Sequence, residues 1–211
     1  MSSDTASEPR RLTRKGQQTR QRIIDAAAEL TFERGVAQTT VEDVRDAAGV
    51  SSSQLYHYFE DKPALIRAVI EHQTEAIIAT QEQFDLSSLD GLRAWRDFVV
   101  GYQRSLGCHG GCPIGSLGSE LAETDARARV AVAGGFERWE QAIRSGLREM
   151  RALGRLDPEA DPDKLALAAL TALQGGLLLT QIQRDTKALE AALDAMIELI
   201  ASLGTGDGAG R

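Results

Sequence analysis

Residues 39–65 read TTVEDVRDAAGVSSSQLYHYFEDKPAL, and their local chemistry predicts two short helices in tandem. Thr39 stands three residues before Glu42. A threonine hydroxyl that caps the amide of the third residue, with a glutamate reaching back, makes a capping box and opens a helix. That helix is expected to run to about Ala48, with Val41, Val44, Ala47 and Ala48 inward. Gly49-Val50 makes the turn, and Ser51 with Gln54 forms a second box that opens a helix through about Phe59. Asp61 then caps a longer helix, with Pro63 in its first turn, where the missing N–H is no loss. Two short capped helices joined by a glycine turn form a helix-turn-helix.

Upstream, Ile23, Ile24, Ala27, Ala28, Thr31 and Phe32 recur at three- and four-residue spacing. They predict one amphipathic helix, roughly 19–34, stopped by Gly35. It completes a three-helix head. Downstream the pattern stays helical: about 61–83, 89–106, a short 114–123, a long 125–153, then 163–184 and 186–203. Gly107 to Pro113 is a glycine-rich break. No strand-period segment interrupts this, so the fold class is all-α. The expected organisation is a head with a basic N-terminal arm over 1–62, a larger helical domain over 63–204, and a disordered tail over 205–211. Residues 1 to about 9 are polar and unpatterned, so they too read as disordered.

The 211 residues carry a formal net charge of -7, yet residues 9–24 hold Arg10, Arg11, Arg14, Lys15, Arg20 and Arg22 and no acid. A local basic patch matters more for DNA than the total does. Nothing near the start resembles a signal peptide. Leu165 to Gln183 is uncharged and long, but its Thr171, Gln174, Thr180, Gln181 and Gln183 favour a buried helix over a membrane span. No membrane association is expected, and the cytoplasm is the expected compartment. Two cysteines in one loop, Cys108 and Cys112, do not make a structural disulfide framework.

Taken together, the paired threonines, the Ala-Gly-Val turn, the serine opening the second helix, Leu-Tyr-His-Tyr-Phe and Lys-x-x-Leu resemble the DNA-binding signature of TetR-family regulators. The resemblance is strong over about residues 14–72; beyond that it rests on helix number and length. It implies a transcriptional regulator, not an enzyme, that binds a double-stranded DNA operator as a homodimer and senses a small-molecule effector, with no cofactor and no metal. Ser52, Ser53 and Gln54 sit where short hydrogen-bonding side chains reach base edges, and a glutamine can pair bidentately with adenine. Ser51 opens the same helix. Tyr56 and His57 point to flanking phosphates, while Leu55 and Phe59 face the core. The resemblance adds Thr40 and Lys62 as phosphate contacts at helix starts, and Arg14 with its neighbours as an arm on the DNA. Ser52 and Ser53 depart from the basic residue and glycine that often open this helix in the family, which leaves base preference open.

In such proteins the last two helices form a four-helix dimer interface. Here Leu170, Leu173, Gly176, Leu177, Leu193, Ile197 and Ile200 are the expected contacts, with Gly175-Gly176 allowing close approach. A two-fold dimer would set recognition helices about 34–36 Å apart on a palindromic site. The resemblance also implies an effector pocket among the middle helices, where Trp95, Phe98, Tyr102, Cys108, Phe136 and Trp139 lie; ordinary core packing of those aromatics is the alternative. The loop Cys108-His109-Gly110-Gly111-Cys112-Pro113 admits three readings. It shapes the pocket wall, as a Gly-Cys-Pro turn before Leu-x-x-Glu-Leu (here Leu117 to Leu121) does in some relatives. It senses oxidants through a thiol near a helix start. Or it binds a metal, for which the spacing matches no zinc pattern. A repressor released by its effector is the leading functional expectation. A thiol-responsive repressor, a helical thiol enzyme on the same loop and a helical protein-interaction adaptor with a vestigial head are the rivals.

Overall fold

A computed structural model describes residues 12–205 as helices and short loops, with no strand among the described residues. Arg10, Arg11 and residues 206–211 lie outside the described residues. The helices are α1 (Arg14–Arg34), α2 (Val41–Ala48), α3 (Ser52–Tyr58), α4 (Lys62–Gln81), α5 (Leu89–Ser105), α6 (Pro113–Leu121), α7 (Ala126–Ala152), α8 (Pro162–Gln183) and α9 (Lys187–Ser202).

The first helix starts earlier than its apolar pattern suggests. Thr13 accepts a hydrogen bond from the Gly16 amide at 3.2 Å and caps it. Arg14 is therefore the first residue of α1, not part of an extended arm. The apolar spacing begins only at Thr19, because residues 14–18, RKGQQ, carry no apolar side chain.

The cap of α2 also differs from expectation by one residue. Thr40, not Thr39, is the N-cap, and Asp43, not Glu42, completes the box: Asp43 N–H donates to Thr40 Oγ1 (3.1 Å) and Thr40 N–H donates to Asp43 Oδ2 (2.9 Å). Thr39 is buried and its hydroxyl donates to the Gly35 carbonyl at 2.8 Å. Two adjacent threonines each satisfy the local rule, and burying the first leaves the second to cap. Gly49 closes α2 with φ +62°, a left-handed conformation that a glycine adopts without a Cβ penalty. Ser51 and Gln54 form their box as expected. Ile23, Ile24, Val44, Leu55, Phe59 and Leu65 fill the head's core, while Ala47 faces solvent.

Helix α4 leaves the head and packs on α6 and α7, so one rigid rod belongs to both parts. In the larger part α7 packs on α8, α8 on α9, and α9 on α5. Arg96 of α5 holds Asp194 of α9 through two bonds of 2.8 and 2.7 Å, and Arg104 holds Glu190 at 2.7 Å. The Thr186 hydroxyl first, and these arginines, keep the Glu190 carboxyl below its ordinary value.

Helix α8 is long and apolar enough to cross a membrane, but its inner stripe is core. Leu170, Leu173, Gly176 and Leu177 are buried within the single chain, as are Leu193, Ile197 and Ile200 of α9. These seven residues, expected at a dimer interface, instead hold the protomer together. A Cβ on Gly176 would lie 2.8 Å from the Leu189 Cα, so this glycine serves the approach of α8 to α9 of the same chain. A helix apolar nearly all round carries two stripes, and its sequence does not say which one turns inward. The outer stripe keeps Leu167, Leu178, Leu179 and Ile182 exposed, the last at 68%, and Leu199 of α9 is exposed as well. Gly175 lies on that face, where a Cβ would meet nothing.

Candidate nucleic-acid interface and ligand cavity

The head exposes the N-terminal end of α3. Ser51, Ser52, Ser53 and Gln54 are all exposed, Tyr56 is 53% exposed, and His57 is exposed beside it. Leu55 and Phe59, four residues apart on the opposite side, are buried. Tyr58 is half-buried and packs against the core, edge-on to His57 at 4.9 Å. Arg20 of α1 lies over the Phe59 ring at 5.3 Å, which joins α1 to the end of α3.

Three of the sequence-expected contacts carry local duties. Gln54 Oε1 accepts the Ser51 amide at 2.9 Å, which occupies one of its two acceptor sites and leaves the Nε2 donors free. The cap holds the amide in one orientation, with its Nε2 donors suited to an acceptor such as guanine O6 or a purine N7. The Thr40 hydroxyl donates to Asp43 Oδ2 at 2.7 Å, and that bond, with the backbone bond from Thr40, holds the Asp43 carboxyl below the usual aspartate range. A carboxylate beside Thr40 opposes a phosphate there. Lys62 Nζ donates to the Val36 carbonyl at 2.6 Å and is half-buried. It braces the loop between α1 and α2 and has two remaining N–H groups for an anion. Arg14 is exposed on the first turn of α1. Ser51→Ala removes the cap of α3, the bond from the Gln54 backbone amide to the Ser51 hydroxyl; it is expected to cost about 1 kcal/mol, read as a lowered thermal unfolding midpoint, while the Gln54 side chain keeps its bond to the residue-51 backbone amide.

The second site is a cavity of about 240 Å³ between α4, α5, α7 and α8, closed at one end by the loop 111–113. Trp95, Phe98, Tyr102 and Trp139 line it, with Gln73, Ile77, Thr80 and Gln81 from α4, Gln103 from α5, and Leu173 and Leu177 from the inner stripe of α8. Phe98 and Tyr102 stack at 6.2 Å and are partly exposed, at the open side. Phe136 does not line the cavity; it stacks behind Trp139 at 6.5 Å. Nor does Cys108, which is buried in the loop with φ +59°. Cys112 does. Sequence reasoning passed over the buried Gln81 and Gln103 because the residue type reads as surface. The signal was their register: Trp95, Val99 and Gln103 stand four apart on one face of α5, as do Ile77 and Gln81 on α4.

The chemistry of the loop is quiet. Both cysteines are free and buried. Burial pushes the Cys112 thiol up, away from the thiolate a redox sensor needs, and the amide of Gly115 and the side chain of Gln174 offset this in part. Among the described residues no cluster of three or more His, Cys, Asp or Glu side chains could hold a metal ion.

Cavity and head are physically joined. Glu120 of α6 accepts the Val36 amide at 2.8 Å, so the residue braced by Lys62 on one side is held by α6 on the other. Helix α6 starts at Pro113 in the cavity wall. Gly110 meets Phe32 of α1 so closely that a Cβ there would fall 1.8 Å from the ring.

This architecture has relatives. Residues 23–69 match the profile of bacterial regulatory proteins of the tetR family, and residues 88–196 match a tetracyclin repressor-like C-terminal domain. The chain is similar to the transcriptional regulator AcuR of Cereibacter sphaeroides, 30% identical over 167 residues that span 77% of this chain and 76% of that protein. It is similar to the repressor DhaR of a Mycobacterium species, 24% identical and covering 86% and 91% of the two chains. Among solved structures, the regulatory protein TetR from Rhodobacter sphaeroides superposes with a TM-score of 0.76 at 27% identity, covering 85% of this chain and 97% of that one. A TetR regulator from Chloroflexus aurantiacus gives 0.76 at 27% identity, covering 91% and 98%. The exposed reading helix on a three-helix head and the cavity behind it are thus those of a known class: this chain belongs to the TetR family of transcriptional regulators.

Proposed function

We propose that this protein is a homodimeric cytoplasmic repressor that holds a palindromic operator and releases it when a small-molecule effector fills the cavity. The observation that carries the reading is the joint between cavity and head. Helix α4 belongs to both, α6 reaches from the cavity wall to Val36 through Glu120, and the loop packs on α1 at Gly110. An effector shifts the head only if it binds the two arrangements with different affinity, and a ligand that repositions α4 or α6 meets that condition. Ser52, Ser53 and Gln54 read bases; Tyr56, His57, Arg14 and the free N–H groups of Lys62 contact the backbone. The outer stripes of α8 and α9 supply the dimer face. A thiol switch and a thiol enzyme are disfavoured by two buried cysteines and a raised Cys112 thiol.

The test is fluorescence anisotropy with the DNA upstream of the protein's own gene, titrated with salt. The affinity is expected to fall linearly on logarithmic axes, because bound phosphates release counterions. Tyr56→Ala is expected to weaken binding by about 1–3 kcal/mol without loss of fold, since this side chain is half exposed. Replacing Cys108 and Cys112 by serine should leave release intact. Absence of DNA binding above background at low salt would overturn the reading and favour an adaptor.

A further inference from the structure

Of the three glutamines that line the cavity, Gln73, Gln81 and Gln103, the last two are buried, and each is fixed by a partner that leaves one amide end unused. Gln81 Oε1 accepts the Trp139 indole N–H at 2.6 Å. An indole nitrogen only donates, so the oxygen of Gln81 must face it, and Nε2 is left as a donor. That Nε2 has no partner, on a residue only 3% exposed. Gln103 is fixed the opposite way. Its Nε2 donates to the Gly111 carbonyl at 3.3 Å, and a carbonyl only accepts. Its Oε1 is left without a partner, on a residue also 3% exposed. Two lining residues therefore each carry a buried amide end without a partner, one a donor and one an acceptor, and neither orientation is arbitrary. Buried polar groups are rarely left unpaired, so such a pair marks a place for a ligand's own acceptor and donor.

The rest of the lining restricts the ligand further. Four aromatic side chains give flat apolar faces, and the volume of about 240 Å³ suits a small ring system. No Lys, Arg, His, Asp or Glu is among the lining residues. An anion buried there would lose its hydration and meet no cation. A cation would be drawn to the ring faces, but it has no acid to pair with and cannot accept from Gln81.

Resting on the reading of this cavity as the effector site, we infer that it selects a neutral, flat molecule bearing a hydrogen-bond acceptor and donor on an apolar ring, as a ring carboxamide or lactam does. It rejects the matching carboxylate and amidinium. The acceptor meets Gln81 Nε2 and the donor meets Gln103 Oε1.

Benzamide, benzoate and benzamidine share one frame and differ in charge, so they serve as probes. Each is titrated calorimetrically into the full-length protein without DNA. Benzamide is expected to bind at least about tenfold tighter than either ion. Gln103→Met should weaken benzamide about tenfold; because it also removes the bond to the Gly111 carbonyl, the affinity is read at a temperature where circular dichroism shows the variant folded. Gln103→Glu should invert the preference towards benzamidine, which pairs with a carboxylate; a purely structural role for Gln103 predicts no inversion. Equal or tighter binding of benzoate or benzamidine to the parent protein overturns the inference, and so does the absence of saturable benzamide binding at millimolar concentration. Because DNA is not in the assay, a lost amide preference sinks this inference alone. A protein that prefers benzamide but never binds DNA sinks the repressor reading instead.

Discussion

Replacing Leu178 and Ile182 together by glutamate is expected to give a folded monomer whose operator affinity is at least about a hundredfold lower. Both residues stand on the outer stripe of α8, 56% and 68% exposed, so neither supports the protomer's own core. In a two-fold interface every substitution occurs twice and faces the partner's copy of the same surface. Four carboxylates would be buried in an apolar seam without a cation, which costs several kcal/mol per unpaired charge. The protein then engages one half-site at a time and loses the gain of binding both through one rigid body. Sedimentation gives the mass, circular dichroism the fold, and anisotropy the affinity. A variant that stays dimeric would move the interface off α8. The inner stripe provides the contrast. Leu173→Ala removes a side chain that is fully buried within one chain, and its effect is expected in protomer stability, about 2–5 kcal/mol, before any change in the association constant.

The second large effect is expected at Gly110. Its φ of +79° lies in the region that favours glycine, and a Cβ would sit 1.8 Å from the Phe32 ring. Gly110→Ala has to tolerate both. The backbone alone costs about 1–3 kcal/mol, and the methyl group must also push Phe32 of α1 off the loop. A loss of 3 kcal/mol or more corresponds to a fall in Tm of roughly 6–12 °C or more for a chain of this size. The more telling readout is functional, because the displaced contact joins the cavity loop to the head: operator binding should weaken beyond what the fraction unfolded accounts for. Gly101→Ala is the control. That glycine lies within α5, a Cβ there would meet nothing within 4 Å, and no positive φ is involved. In a helix interior the change is expected to stabilise by about 0.5–1 kcal/mol. Equal stability of the Gly110→Ala and Gly101→Ala proteins would show that Phe32 yields without cost.

What could be read along the chain and what could not divide by the range of the interactions involved. Helix positions, the glycine turn at Gly49, the capping box of Ser51 with Gln54, and the burial of Leu55 and Phe59 all depend on residues within about four positions of one another. The all-helical class, the reading head and the family followed from these. Even here the rule was satisfied twice at Thr39 and Thr40, and only the burial of Thr39 against Gly35 chose the cap. The first turn of α1 escaped notice because residues 14–18 carry no apolar side chain to mark a helical period. Residues far apart in sequence decided the rest. Trp139 meets Gln81 across 58 positions and so fixes which end of that amide is free. Glu120 meets Val36 across 84 and ties the cavity helix to the head. Lys62, expected on a phosphate, is turned to Val36 by the same loop. Both stripes of α8 carry leucines, and only its packing against α7 and α9 made one of them core and left the other exposed. Periodicity records that a face is apolar; it holds no information on what covers that face, because the covering side chains come from helices whose relative placement is settled only when the whole chain packs.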